Sequence, residues 1–272
     1  MLDVPLPKLQ RTRGKAAVRL SHDSATRLER LRQEGAAKVF LPRSHGLHPE
    51  IVFLNTAGGL TGGDALRYAL TLGAGGAATA TTQTAERIYR SGGRETARVD
   101  VVLKVGEAAR LDWVPQETIL FDGAALERAT DVHLGAGSTF LMVETVVLGR
   151  SAMGERVSSL DFKDRRRVFR EERPVFVEPL HLDNQSVVGN GTAELNGARA
   201  LATVALFAQG AEDALTRVRR CIQTTDVAAH ASGWDGKVVM RAMAPEARPL
   251  RQLVVAVVSA LRGGDMPRVW QV

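Results

Sequence analysis

A unit of about 30 residues recurs three times in the middle of this chain, each an alternating strand, a glycine turn and a second strand. In the first copy Leu66, Tyr68, Leu70 and Leu72 alternate with polar or small residues. The chain then turns at Gly73 and resumes through Ala78 and Ala80 to Gln83. The second runs Val99, Val101, Leu103, Val105, turns at Gly106 and resumes through Leu111 and Trp113 to Gln116. The third runs Thr130, Val132, Leu134, turns at Gly135 and resumes through Phe140 and Met142 to Glu144. Period-2 alternation marks strands with one buried face, and a strand pair that repeats at fixed length buries that face by stacking on its neighbours. The repeat therefore predicts a mainly β, stacked-strand (β-helix-like) body. Leu111 should lie beside Phe140, and Trp113 beside Met142, in adjacent layers.

Helical periodicity enters only late. Residues 211–224 place Leu215, Val218 and Ile222 on one face with Arg217, Arg219 and Arg220 around it, and residues 249–261 form a second candidate. Pro249 suits a first turn, and Gly263-Gly264 end that helix. Residues 199–207 and 238–243 read as strands. The outline is one domain over residues 1–272, with a β body at about 14–210 and 237–243 and the two C-terminal helices joined to one end.

Several function classes fall away on composition. The formal charge of +6 favours acidic partners, but the basic residues are scattered among 30 acids. The tightest run, Arg165-Arg166-Arg167, has no aromatic or helix-turn-helix context, and only 5% of the chain is aromatic, so nucleic acid is not the expected partner. The longest apolar run, near 253–261, is far short of the roughly 20 residues a bilayer span needs. With no signal-peptide pattern at the start and a single cysteine, Cys221, a cytoplasmic location and no membrane association are expected. Gly58, Gly59, Gly62 and Gly63 form a glycine-rich loop, but no lysine and no helix follow it, so it reads as an irregular turn rather than a phosphate cradle. No Gly-x-Ser-x-Gly elbow occurs and the six histidines are dispersed, so no catalytic residue is assigned. His45 and His48 have ligand-like spacing without further donors, and no stable metal site is predicted.

The richest polar segments lie at the junctions of the repeat. Residues 55–64 read Asn-Thr-Ala-Gly-Gly-Leu-Thr-Gly-Gly-Asp, and 81–91 read Thr-Thr-Gln-Thr-Ala-Glu-Arg-Ile-Tyr-Arg-Ser. Residues 113–123 read Trp-Val-Pro-Gln-Glu-Thr-Ile-Leu-Phe-Asp-Gly, and 144–155 read Glu-Thr-Val-Val-Leu-Gly-Arg-Ser-Ala-Met-Gly-Glu. With Arg-Pro-Val-Phe-Val-Glu-Pro-Leu at 173–180 and Pro-Arg-Val-Trp at 267–270, this ordered set closely resembles the UreD (UreH) family of urease accessory proteins. The resemblance implies a non-enzymatic maturation factor. Such a factor acts with UreF and the GTPase UreG on the urease apoprotein and helps insert nickel into its metallocentre. The matching positions are Asp64, Tyr89, Arg90, Gln116, Glu117, Glu144, Gly149, Arg150, Gly154, Glu155 and Glu178, the glycines among them serving structure.

Carboxylates recur near the strand ends: Asp64, Glu86, Glu117, Asp122, Glu144, Glu155 and Glu178. Each can pair with an arginine such as Arg87, Arg90, Arg150 or Arg173, the usual requirement for a buried acid. As a set, Asp64, Glu117, Glu144, Glu155 and Glu178 are the candidates for a nickel passage, because oxygen donors bind this borderline ion weakly enough to release it. No cofactor is then held tightly, and Ni2+ is a transient passenger. Two other readings stay open on the residues alone. One is a metal-dependent hydrolase on a β scaffold, with His181 completing its site. The other is a structural adaptor through which no metal passes.

Overall fold

The computed structural model describes residues 10–43, 48–93, 95–150, 153–189, 191 and 194–271. The first strand of each unit enters one sheet and the second strand enters another. In the first sheet β1 (Arg13–His22), β5 (Ala65–Leu72), β8 (Ala97–Val105), β11 (Ala124–Leu134) and β13 (Leu160–Arg170) run parallel in that order. Hairpin partners β2 (Thr26–Gly35) and β14 (Arg173–Asp183) pair antiparallel at its two edges. In the second sheet β4 (Glu50–Asn55), β6 (Ala77–Thr82), β9 (Arg110–Trp113) and β12 (Thr139–Leu148) are parallel, with β3 (Ala37–Phe40) at the edge beside β4. Short strands β7 (Glu86–Ile88) and β10 (Thr118–Leu120) build a third wall, β10 pairing parallel with β7 on one side and with the end of β12 on the other. This is the stacked, solenoid-like body the repeat predicts.

The stacking is close because the turns are glycine. A Cβ on Gly106 would lie 2.6 Å from the Ala74 nitrogen, and one on Gly135 would lie 2.7 Å from the Glu107 nitrogen, so each turn rests backbone on backbone against the turn before it. Leu111 pairs with Phe140 and Trp113 with Met142, all four buried, as expected.

Beyond β12 the second sheet changes character. Strands β15 (Ala200–Phe207), β17 (Lys237–Ala244) and β16 (Ala228–Trp234) extend it antiparallel. β12, β15 and β17 bury residues of both parities, so the sheet needs a cover on its outer face as well. Helix α2 (Leu215–Ile222), entered through a 3-10 turn at Ala211–Ala214, and helix α3 (Ala247–Arg262) supply it. Val218, Leu250, Leu253, Val254, Val257 and Leu261 form a second core there with Leu141, Val143, Val204 and Met240. The helices thus lie on the outer face of the sheet at this end of the body, because residues 139–148 and 200–207 are too apolar on both sides to leave one wet. A short helix α1 (Asn184–Val188) was not legible in the apolar pattern; it starts on a capping box between Asp183 and Ser186. Among the described residues no helix is long and apolar enough to cross a membrane.

Candidate functional site

The same period-2 rule that buries leucines in the first two copies buries charges in the next two coils. In β11 the inward residues are Ala124, Leu126, Arg128, Thr130, Val132 and Leu134; in β13 they are Leu160, Phe162, Asp164, Arg166 and Val168. Register then stacks Leu66, Val99, Arg128 and Asp164 in one column, and Tyr68, Val101, Thr130 and Arg166 in the next. Buried charges persist only when paired, and these form a continuous chain. Glu144 receives the Trp113 indole N–H at 3.2 Å and faces the Arg128 guanidinium at 2.8 Å. Arg128 donates through Nε and Nη2 to both oxygens of Asp164, at 3.0 and 2.7 Å, and through Nη1 to Thr118 at 3.0 Å. Arg166 donates to the same Asp164, and on its other side to Glu178 at 2.6 Å and Thr203 at 3.0 Å. Arg241 closes the chain on the second oxygen of Glu178 at 2.6 Å. Three carboxylates alternate with three guanidinium groups, so the interior is polar yet close to neutral.

Burial and these neighbours set the protonation. Burial pushes the Glu144 carboxyl above its ordinary range despite Arg128. At Asp164 burial acts in the same sense, but the charges of Arg128 and Arg166 outweigh it and hold that carboxyl low. Burial also opposes the charge of Arg128, but Asp164 and Glu144 keep it firmly cationic.

Three cavities run along this chain and share lining residues. An outer groove of about 80 Å³ is lined by Asn55, Gly58, Tyr68, Thr82, Thr84 and Glu86. An inner cavity of about 50 Å³ shares Tyr68, Thr82 and Glu86 with the groove and reaches Trp113, Gln116, Arg128 and Glu144. A larger cavity of about 650 Å³ shares Glu144 with the inner one and is lined further by Arg166, Glu178, Thr203, His230 and Arg241. The inner cavity has room for a few water molecules. Its oxygen donors can partly replace the hydration of a cation. Among the described residues no group of three or more His, Cys, Asp or Glu side chains is placed to hold a metal.

Of the residues singled out in the sequence, Glu144 and Glu178 line these cavities, and Gln116 borders the inner one. Asp64 is placed elsewhere: its two oxygens accept the backbone N–H groups of Thr12 at 2.7 Å and Thr61 at 2.8 Å, which fixes the exit of the glycine loop. Glu117 binds Arg251 of α3 at 2.5 Å, and Gln116 joins it by donating to the Val269 carbonyl and accepting from Arg251. Glu155 accepts from the backbone of Asp122 and from Arg150. Burial works against its charge, but those hydrogen bonds prevail and keep it ionised. With Tyr89, Arg90, Phe121 and Arg150 it lines a shallow surface groove, where the Arg150 guanidinium lies 4.5 Å from the Phe121 ring centroid and Arg90 pairs with Asp122. Gly59 lets the loop pass beneath Tyr89, whose ring would lie 2.4 Å from an added Cβ, and Gly62 and Gly63 abut Glu95. Gly58, Gly149 and Gly154 hold positive φ in turns. His181 is half-exposed and faces Asp161 at 3.3 Å on the outside of β14, so it joins no site with the interior carboxylates. His45 lies outside the described residues.

The central members of the charge chain, Arg128, Asp164 and Arg166, were missed in the sequence. The signal was there: each occupies an inward parity of an otherwise apolar strand, where a charge is either an error of register or a buried network. Arg241 and Thr203 are pairing partners from β17 and β15 that no local pattern announces.

These features define a class: a stacked β scaffold with a helix-covered flank and a charged, cavity-lined interior. The family model described as UreD urease accessory protein matches residues 12–271. The chain is 53% identical to a urease accessory protein UreD of Cereibacter sphaeroides strain ATCC 17025, over 99% of this chain and 98% of the relative. It is 51% identical to that of Dinoroseobacter shibae, over 99% and 95%, and 48% identical to that of a Jannaschia species, over the whole of both. The chain belongs to the UreD family of urease accessory proteins. It serves urease maturation and is not itself an enzyme.

Proposed function

We propose that the chain acts in the cytoplasm with UreF and the GTPase UreG on the urease apoprotein, and that nickel destined for the metallocentre travels through its interior. The observation that carries this reading is the series of shared lining residues: Glu86 lines the first two cavities, Glu144 the second and third, and Glu178 the third. A desolvated divalent ion needs oxygen donors along its way, and one that must be released needs donors already engaged elsewhere. Glu144 and Glu178 answer both needs, since the oxygens of each lie beside a guanidinium that competes with the ion. Asp64, Glu117 and Glu155 then act on loop geometry and on the contact with α3. The surface groove at Tyr89, Arg90 and Arg150 is a candidate contact for a partner.

The test compares Glu144→Gln and Glu178→Gln with wild type in three respects: melting midpoint, recovery of the complex with UreF and UreG, and nickel content of the urease produced. Reduced nickel with normal midpoint and assembly is expected. Normal nickel loading in both variants overturns conduction and leaves the adaptor reading, in which the chain only joins its partners.

A further inference from the structure

Among the carboxylates that line the three cavities, Glu86 differs from the others. Glu144 and Glu178 each face guanidinium groups within 2.8 Å, whereas Glu86 forms no ion pair among the described residues. Its Oε1 accepts from the Asn55 amide at 3.1 Å, and that same amide also reaches the Gly59 carbonyl at 3.4 Å. Its position is equally distinctive, because it is a carboxylate that lines both the outer groove and the inner cavity. Beyond the exposed Arg87, which also lines the groove, this unpaired carboxylate is the acid an incoming ion meets on passing from groove to cavity.

We infer that Glu86 is a proton-exchanging gate for the divalent cation: the carboxyl binds either a proton or the arriving ion, and the ion takes its oxygen as the proton leaves to water. The inference rests on the conduction reading above and names the residue that admits the ion. The balance is simple: the carboxyl O–H bond breaks, a cation–oxygen contact forms, the proton departs to solvent, and no oxidant or reductant is involved. The groups facing Glu86 favour this behaviour. From β4 comes the neutral amide of Asn55; from β5 the Tyr68 hydroxyl, itself pushed up by burial and by Glu86; from β6 Thr82; and from β10 Thr118, its register partner. On its own strand Arg87, exposed and lining the outer groove, contributes only a weak stabilising charge, while Arg128 and Glu144, which pair with each other, line the inner cavity. Burial is accordingly the dominant influence and raises the Glu86 carboxyl to about 7, against which the Asn55 hydrogen bond and Arg87 act only partly. At neutral pH the group therefore sits near half protonation, where exchange with a cation is easiest. A protonated gate also presents no charge to hold an ion there when none is to be delivered.

The experiment follows nickel loading of apo-urease by the complete complex with UreF and UreG from pH 6 to 8.5 at several NiCl2 concentrations, for wild type, Glu86→Gln, Glu86→Asp and Glu144→Gln. In wild type the rate should rise through a midpoint near pH 7, and the midpoint should fall as nickel is raised, the signature of competition between proton and ion. Glu86→Gln should load about tenfold more slowly at pH 8 and lose that nickel-dependent midpoint, while Glu86→Asp keeps a shifted one. Glu144→Gln should be slower at every pH yet retain the wild-type shape, which separates the gate from other titrations in the assay. If Glu86→Gln is slow but keeps the wild-type midpoint, or loads normally while Glu144→Gln does not, the gate is overturned and conduction stands. If both variants load normally, the gate and the conduction reading fall together.

Discussion

Two neighbouring stretches of the inward-facing columns are built on the same strands, at the same parity, from opposite chemistry. Near the glycine turns the columns read Leu70, Leu103, Val132 and Val168, and Leu20 stacks through Leu72 and Val105 on Leu134, with Phe140 and Phe207 across the gap. In mid-strand the columns begin apolar and finish as Arg128 and Asp164, or Thr130 and Arg166, and beyond them Leu126 and Phe162 are apolar again. Backbone pairing is equally regular in both stretches. What differs is only which side chains the chain commits to the interior. A solenoid tolerates this because each coil is held by its neighbours over the whole strand, so apolar burial in one stretch can secure an interior in the other that contributes little stability of its own. The dry stretch fixes the geometry; the charged stretch uses it.

If this division is right, truncation in the dry stretch should cost most. Phe140→Ala removes a fully buried ring stacked on Phe207 and is expected to lower stability by about 3 to 5 kcal/mol, read from the midpoint of chemical denaturation. Asp164→Ala leaves Arg128 and Arg166 without their shared partner and should cost about 3 kcal/mol, at the lower end for a broken buried pair because cavities adjoin both guanidinium groups. The Asp164 loss should also shrink in acid. Its carboxyl is held low in the folded protein, so its contribution is present above the unfolded carboxylate range and disappears as pH falls through the folded value. A loss under about 0.5 kcal/mol for Asp164→Ala would mean that the charged stretch is solvated like a surface, and the contrast between the two would dissolve.

Glu86 gives a smaller effect of opposite sign. Its carboxyl is raised from 4.5 to about 7, so the protonated form is the one the fold prefers. That preference adds stability that is complete below the unfolded value and is lost as pH rises through about 7. Glu86→Gln keeps an acceptor for Asn55 and removes the titration. The variant should be more stable than wild type by roughly 2 kcal/mol at pH 8, with the difference vanishing below about pH 5. Equal midpoints at both pH values would place Glu86 in contact with bulk water.

How much of this was legible in the sequence follows from what each feature depends on. The dry stretch was readable because alternation and glycine spacing are local: Leu111 beside Phe140 and Trp113 beside Met142 follow from the period alone. The two late helices were readable in outline from their apolar faces, although the first turn of the earlier one is 3-10 and their seat on a sheet face depends on strands far away in the chain. Glu144 and Glu178, named as candidates from the sequence, line the cavities. Their partners Arg128, Arg166 and Arg241 come from β11, β13 and β17, and only register across both sheets brings them together. Asp64 and Glu155 stand in motifs as conspicuous as that of Glu144, yet they bind backbone amides, a use that residue type does not distinguish from lining a cavity.

Thr130 marks where one chemistry gives way to the other, and it allows the boundary to be placed by experiment. It is fully buried, stacked between Val101 and Arg166, and its hydroxyl is the buried side-chain atom that finds no hydrogen-bond partner among the described residues. A hydroxyl kept from any partner costs roughly 1 to 3 kcal/mol, and valine replaces it with a methyl of nearly the same shape. If the dry region extends to this position, Thr130→Val should raise stability by about 1 kcal/mol, measured as a higher denaturation midpoint at unchanged slope. Nickel loading should be unaffected, because the walls of the three cavities are formed by other residues, Val101 and Arg128 among them. A lower midpoint would show that the hydroxyl is hydrated. The polar interior would then reach beneath Arg128, and the passage would be wider by one layer of the stack. The sign of one conservative substitution thus decides how deep the charged stretch runs.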